Sequence, residues 1–118
     1  MKLWIDDERV MPAEYTHMAM SSAQAIHLLE QTDDLELVSF DHDLGGLHGD
    51  DTSRAVLTWM IEHNIWPREI RFHTANPVGR DWLEGTARRY APDWVHVNEH
   101  NPAFQFILDP SYFTRYQS

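Results

Sequence analysis

Three short stretches concentrate the side chains that could do chemistry. In Phe40-Asp41-His42-Asp43-Leu44-Gly45-Gly46, two carboxylates flank an imidazole. Asp6 and Asp7 stand together after Leu3-Trp4-Ile5, with Arg9 two residues further on. His73-Thr74-Ala75-Asn76 runs into Pro77, and Arg80 follows. Each cluster follows an apolar run, so each is expected at the end of a buried strand. Carboxylates gathered there would repel one another unless a cation sat among them. Asp6, Asp7, Asp41 and Asp43 would then be oxygen ligands of a hard divalent ion, Mg²⁺ first. A histidine in the shell would favour Mn²⁺. His42 and His73 carry imidazoles suited to acid–base work. A single acidic pair after a strand usually marks a solvated turn; two that converge carry more weight.

The elements that must position these groups are legible in outline. Residues 2–5 and 35–40 read as strands, 16–20 as a weaker one, and 69–74 and 94–97 as two more. Ser21-Ser22 offers a helix cap, with Ala25, Ile26 and Leu29 as the apolar stripe. Asp50-Asp51-Thr52 reads as the next helix start, with Pro67 as the stop. Asn76-Pro77 pairs an N-cap residue with proline at the first helical position. Trp82, Leu83, Ala87 and Tyr90 would be that helix's buried face. Its N-terminus would aim N–H groups at the clusters, with Arg80 within a turn. Strands alternating with helices predict an α/β fold, a doubly wound parallel sheet of about five strands. Only about ten residues separate the first two strands, so the first crossover helix should be short or missing. Ligands of such sheets bind beyond the carboxyl ends of the strands. His96 and His100 would point towards that region if their segment is the last strand. His17, His27 and His63 read as surface residues; His48 belongs to a glycine-rich loop that reads as solvated, the alternative being that it folds over the site.

Composition narrows the function classes. The 118 residues suit a single domain, and 42% are apolar, enough for a core. There is no cysteine, which removes thiolate chemistry and cysteine-bound zinc. The formal net charge of −10 disfavours duplex nucleic acid. No apolar run is long enough to span a membrane, and a cytoplasmic location is the default. Residues 98–118 carry Phe104, Phe106, Ile107, Leu108, Tyr112 and Phe113. This aromatic extension should pack on the core or form a homodimer.

An acidic pair after strand one, an aspartate after strand three and Thr-Ala after strand four resemble response-regulator receiver domains. That resemblance implies Mg²⁺ on Asp6 and Asp7, an acceptor-like role for Asp41, and a phosphate contact from Thr74. Asp43 would lie where a backbone carbonyl of that family also reaches the metal. The receiver lysine after strand five has no counterpart. Lys2, the only lysine, lies ~13 Å of extended chain from the acidic end. A narrower resemblance is to the cyclic-phosphate-processing receivers of bacteria and phages, over residues 2–90. It rests on Leu3-Trp4-Ile5-Asp6-Asp7-Glu8-Arg9, on the Asp41-to-Gly45 motif and on His73-Thr74-Ala75-Asn76-Pro77-Val78-Gly79-Arg80. It implies a metal-dependent phosphoesterase acting on a small cyclic nucleotide or a 2′,3′-cyclic phosphate RNA 3′ end. Asp41, His42 and His73 would be catalytic, with Thr74, Asn76, Arg80 and Arg9 on the phosphate. The alternatives are a non-catalytic sensor or sink for the same ligand, and an atypical phosphoacceptor switch.

Overall fold

The computed structural model describes residues 1–45 and 49–99. The chain runs β1 (Lys2–Ile5), β2 (His17–Ala19), α1 (Ser22–Gln31), β3 (Leu37–Phe40), β4 (Asp43–Gly45) and β5 (Asp51–Thr52). It continues with α2 (Arg54–His63), β6 (Glu69–Phe72), α3 (Pro77–Tyr90) and β7 (His96–Val97). All four residues of β3 are buried, which requires cover on both faces of the strand. The sheet provides it: five parallel strands in the order β2-β1-β3-β6-β7. β4 and β5 form a separate antiparallel ribbon.

The steps β2 to β3, β3 to β6 and β6 to β7 all go the same way across the sheet. Right-handed crossovers then put all three connecting helices on one face. Accordingly, α1 packs on α2 and α2 on α3. Leu3, Ile5, Val38, Phe40 and Ile70 meet Ala25, Leu29, Val56, Leu57, Met60, Leu83 and Ala87 in the main core. The step from β1 to β2 goes the other way, and residues 6–16 make it without a helix, as the short spacing predicts. This loop turns Tyr15 and Met11 onto Trp4 and Leu37, closing a small second cluster.

Local chemistry sets the helix ends. Ser21 accepts from the Gln24 N–H and Asn76 from the Gly79 N–H, each as an N-cap. The expected helix start at residues 50–52 is corrected. Asp51 and Thr52 form β5, and α2 begins at Arg54 behind Ser53. The Asp51 carboxylate is committed elsewhere: it accepts from the Ser22 N–H (2.9 Å) and hydroxyl (2.6 Å) at the start of α1. α2 also stops early, at Asn64 (φ 52°), because asparagine tolerates the left-handed region. In α3 the buried residues are Gly79, Leu83 and Ala87. Trp82 is half-buried and Tyr90 is exposed. The stripe passes through a glycine, which a count of large apolar residues misses. The last strand shrinks to His96–Val97, leaving Trp94 exposed.

The aromatic extension, from residue 100 onward, lies outside the described residues, as do His48 and Gly46. Among the described residues no helix is long and apolar enough to cross a membrane.

Candidate functional site

Register gathers the three clusters. Ile5 lies beside Phe40, and Phe40 beside Phe72. The next residues, Asp6, Asp41 and His73, therefore emerge together at the carboxyl ends of adjacent strands. Their N–H groups extend the ladder by one rung, onto Ala19, Ile5 and Phe40 carbonyls. Alternation along a strand sends Trp4, Ser39 and Arg71 to the face opposite the helices, and Asp6 and His73 continue that row.

Asp6 is fully buried. Its Oδ1 accepts from the Glu8 and Arg9 N–H groups (2.8 and 3.0 Å). Its Oδ2 accepts from His73 Nε2 (3.1 Å) and from an Arg9 guanidinium nitrogen (3.2 Å). Burial pushes this carboxyl up, but the bonds from His73 and the two N–H groups outweigh it, holding Asp6 at about 2. Asp41 is pushed the other way, up to about 6, by burial and by the charge of Asp6. Burial also raises Asp7. One oxygen from each of Asp6, Asp7 and Asp41 lies within 4.8 Å of the others. Among the described residues this is the one such set of three ligating groups. All-oxygen, anionic donors at this spacing suit a hard divalent cation. Gly45 (φ 68°) closes the wall, its missing Cβ standing only 3.0 Å from an Asp7 oxygen.

Asp43 stands outside that set, with its side chain 64% exposed. Its Oδ2 accepts from Asn76 Nδ2 (3.0 Å) and its Oδ1 faces His42 Nδ1 (3.0 Å). These two bonds outweigh burial and lower its pKa. Arg54 Nε donates to His42 Nε2 (2.8 Å). A guanidinium has only donors, so Nε2 accepts and Nδ1–H is left to donate to Asp43. Arg54 itself lies over the Trp82 ring, 4.8 Å from its centroid.

The second imidazole is enclosed as firmly. His73 Nδ1 meets the Ser39 hydroxyl (2.7 Å), Nε2 meets Asp6, and the ring stacks on Trp4 with centroids 3.6 Å apart. Ser39, His73 and Asp6 thus form a hydroxyl–imidazole–carboxylate chain like a hydrolase triad in order. All three are buried, Ser39 to 1% exposure, so the hydroxyl meets no substrate and the chain braces Asp6. His73→Ala is expected to cost about 3–5 kcal/mol in urea unfolding, because it strips a partner from a buried charge. His73→Phe, which keeps a ring on Trp4, isolates the part due to the lost bond.

A model of the cyclic-phosphate processing receiver domain matches residues 1–89. The chain belongs to that family. The match takes in all three clusters and stops one residue before the end of α3. No curated protein and no solved structure matches the chain. In this cyclic-phosphate processing receiver domain the clusters open on a cleft of about 310 Å³, at the small end of ligand sites. Asp7, Glu8, Arg9, Asp41, Asp43, Thr74 and Asn76 line it. Thr74 hydrogen-bonds Asp41 and accepts from the Asn76 N–H (3.1 Å).

Three residues expected at the ligand are placed elsewhere by this receiver domain. His42 and His73 do not line the cleft, because each ring is held on both nitrogens by protein groups. Arg80 does not line it either. α3 buries Gly79, and Arg80 leaves the helix one residue round from that stripe. His96 is also distant. It pairs with Glu69 at the start of β6, the opposite end of the strand from the cleft. Four residues of the site escaped the sequence reading: Ser39, Arg54, Gly45 and Gly79. The two glycines of the motifs were the available signal. Ser39 and Arg54 gave none, since their partners are set by packing.

Proposed function

We propose that this domain binds a cyclic phosphate in the cleft together with a divalent ion, Mg²⁺ or Mn²⁺, and hydrolyses it. The substrate class is a cyclic nucleotide or a 2′,3′-cyclic phosphate RNA end. One observation carries the reading: three carboxylates converge within 4.8 Å, and two of them, Asp7 and Asp41, line a cleft whose opposite wall is the capped start of α3. Asp6, Asp7 and Asp41 would hold the ion. Bound there, it would supply Lewis acidity at a phosphate oxygen and a bound water of lowered pKa. Thr74 and Asn76 orient the phosphate from the α3 side, where the helix N-terminus favours negative charge. Asp43, fixed by His42 and Asn76, faces the same space.

A second reading has a specific observation behind it. Neither His42 nor His73 lines the cleft, and among the described residues no histidine does, so none of these offers proton transfer there. A module that captures a cyclic phosphate without turning it over needs none.

The test is a panel of 2′,3′- and 3′,5′-cyclic nucleotides and a cyclic-phosphate RNA end. It is run with Mg²⁺, Mn²⁺ or chelator, on wild type and Asp41→Asn. Metal-dependent turnover that vanishes in Asp41→Asn is expected. Metal-dependent binding of one member without turnover would establish the capture module instead. Neither binding nor turnover would sink both.

A further inference from the structure

Counting lone pairs on Asp6 exposes a conflict inside the proposed metal set. A carboxylate offers about four acceptor sites. On Asp6 they are filled by the Glu8 N–H, the Arg9 N–H, His73 Nε2 and the Arg9 guanidinium. The two N–H bonds belong to the turn that follows β1. His73 is locked behind, between Trp4 and Ser39. A metal ion can reach Asp6 only if one of these partners leaves. The guanidinium is the one that can go without breaking a turn or a buried stack. Its side chain lines the cleft and keeps 13% exposure.

The same guanidinium nitrogen also touches Asp41 Oδ2 at 3.1 Å. It therefore bridges two of the three carboxylates that would hold the ion. Mg²⁺ takes its oxygens at about 2.0–2.1 Å and a guanidinium at about 2.7–2.9 Å or more, so the two cations compete for the same two carboxylates. Released from both carboxylates, the planar guanidinium fork fits phosphate oxygens.

We propose that Arg9 is an internal counter-cation which a divalent ion displaces from Asp6 and Asp41, and that the freed guanidinium becomes the phosphate ligand of the cleft. Metal loading then precedes phosphate binding and creates the affinity for it. An ion-free site keeps its arginine folded in and refuses the anion. This rests on the metal reading above and adds an order of events to it.

The test needs no substrate. Arginine Nε–H resonances are followed in ¹⁵N spectra of the wild-type chain, with Arg9 assigned through Arg9→Lys. Mg²⁺ is titrated first, then inorganic phosphate. The Arg9 signal is expected to move with Mg²⁺, and to move again with phosphate only when Mg²⁺ is present. In parallel, Mn²⁺ binding is measured by electron paramagnetic resonance for wild type and Arg9→Gln. The variant should bind Mn²⁺ roughly tenfold tighter or more, since no charged hydrogen bond must be broken. It should also lose the metal-dependent phosphate affinity. An Arg9 signal unmoved at saturating Mg²⁺, with equal Mn²⁺ affinity in Arg9→Gln, would show a fixed brace and overturn the displacement alone. No Mn²⁺ binding in either protein would overturn the metal reading, and this inference with it.

Discussion

Gly79→Ala is expected to destabilise the protein and dislodge Asp43, although alanine is the better helix former. A Cβ on residue 79 would fall 2.3 Å from His42 Cγ, 2.5 Å from Cδ2 and 2.6 Å from Nδ1. The ring cannot step aside freely, because Arg54 holds one nitrogen and Asp43 the other. Either α3 lifts off the sheet or the Arg54–His42–Asp43 chain breaks. Overpacking of this kind costs about 1–3 kcal/mol, more than the ~1 kcal/mol alanine gains over glycine in a helix. Gly85 is the internal control. It lies further along the same helix, and a Cβ there meets nothing within 4 Å. Gly85→Ala should stabilise by about 0.5–1 kcal/mol. Urea unfolding of the two variants should thus give opposite signs. Stabilisation by both would show that His42 does not press on α3 as described.

The second large effect is expected from Asp41→Asn, and it should separate stability from ion binding. Burial first, and then the charge of Asp6, push the Asp41 carboxyl up to about 6. An unfolded chain would release that proton near 3.9. Between these values the folded protein binds more protons than the unfolded one. Stability contributed by protonated Asp41 is therefore lost as pH rises through about 6. The cost at neutral pH is about 2–3 kcal/mol. Asp6 has the opposite sign. Held at about 2, it stabilises the fold above roughly pH 4, and that contribution disappears as pH falls towards 2. In chelator, Asp41→Asn should therefore raise the thermal midpoint at pH 7 and flatten the stability profile between pH 4 and 6. Added Mg²⁺ should stabilise wild type and leave the variant unchanged. A variant less stable than wild type in chelator would mean that the Arg9–Asp41 contact outweighs the burial of the charge.

The fold was readable because its signals are local. Leu3-Trp4-Ile5 and Val38-Ser39-Phe40 are runs whose burial follows from composition, and Asn76-Pro77 announces a helix by its own chemistry. The convergence of Asp6, Asp41 and His73 followed as well, since parallel strands end side by side. What stayed hidden depends on partners distant in sequence. Asp51 looks like a cap for the helix just after it, yet it caps α1, 29 residues earlier. His42 and His73 look like free bases. Arg54, twelve residues downstream, takes one, and Ser39, 34 residues upstream, takes the other. Gly79 carries no side chain for a periodicity count to register, yet it is the place where α3 meets His42. Arg80 lies a turn from the cap, but helix phase carries it off the cleft.

The helix-free crossing from β1 to β2 leaves a mark on how this domain can vary. Asp6 bonds His73, His73 stacks on Trp4, and Trp4 meets Tyr15 edge-on at 5.0 Å. Tyr15 lies near the far end of the loop that Asp6 begins. The contacts close a ring between the β1-to-β2 stretch and the residue that follows β6, with no helix in that stretch to absorb a change. Replace one member and its neighbours face a void or an unmet charge. Single substitutions are therefore poor steps, and compensated pairs are the passable ones. Such a ring is inherited as one character: lineages should keep all four residues or exchange them together, while the open face of α3 around Gly85 drifts freely.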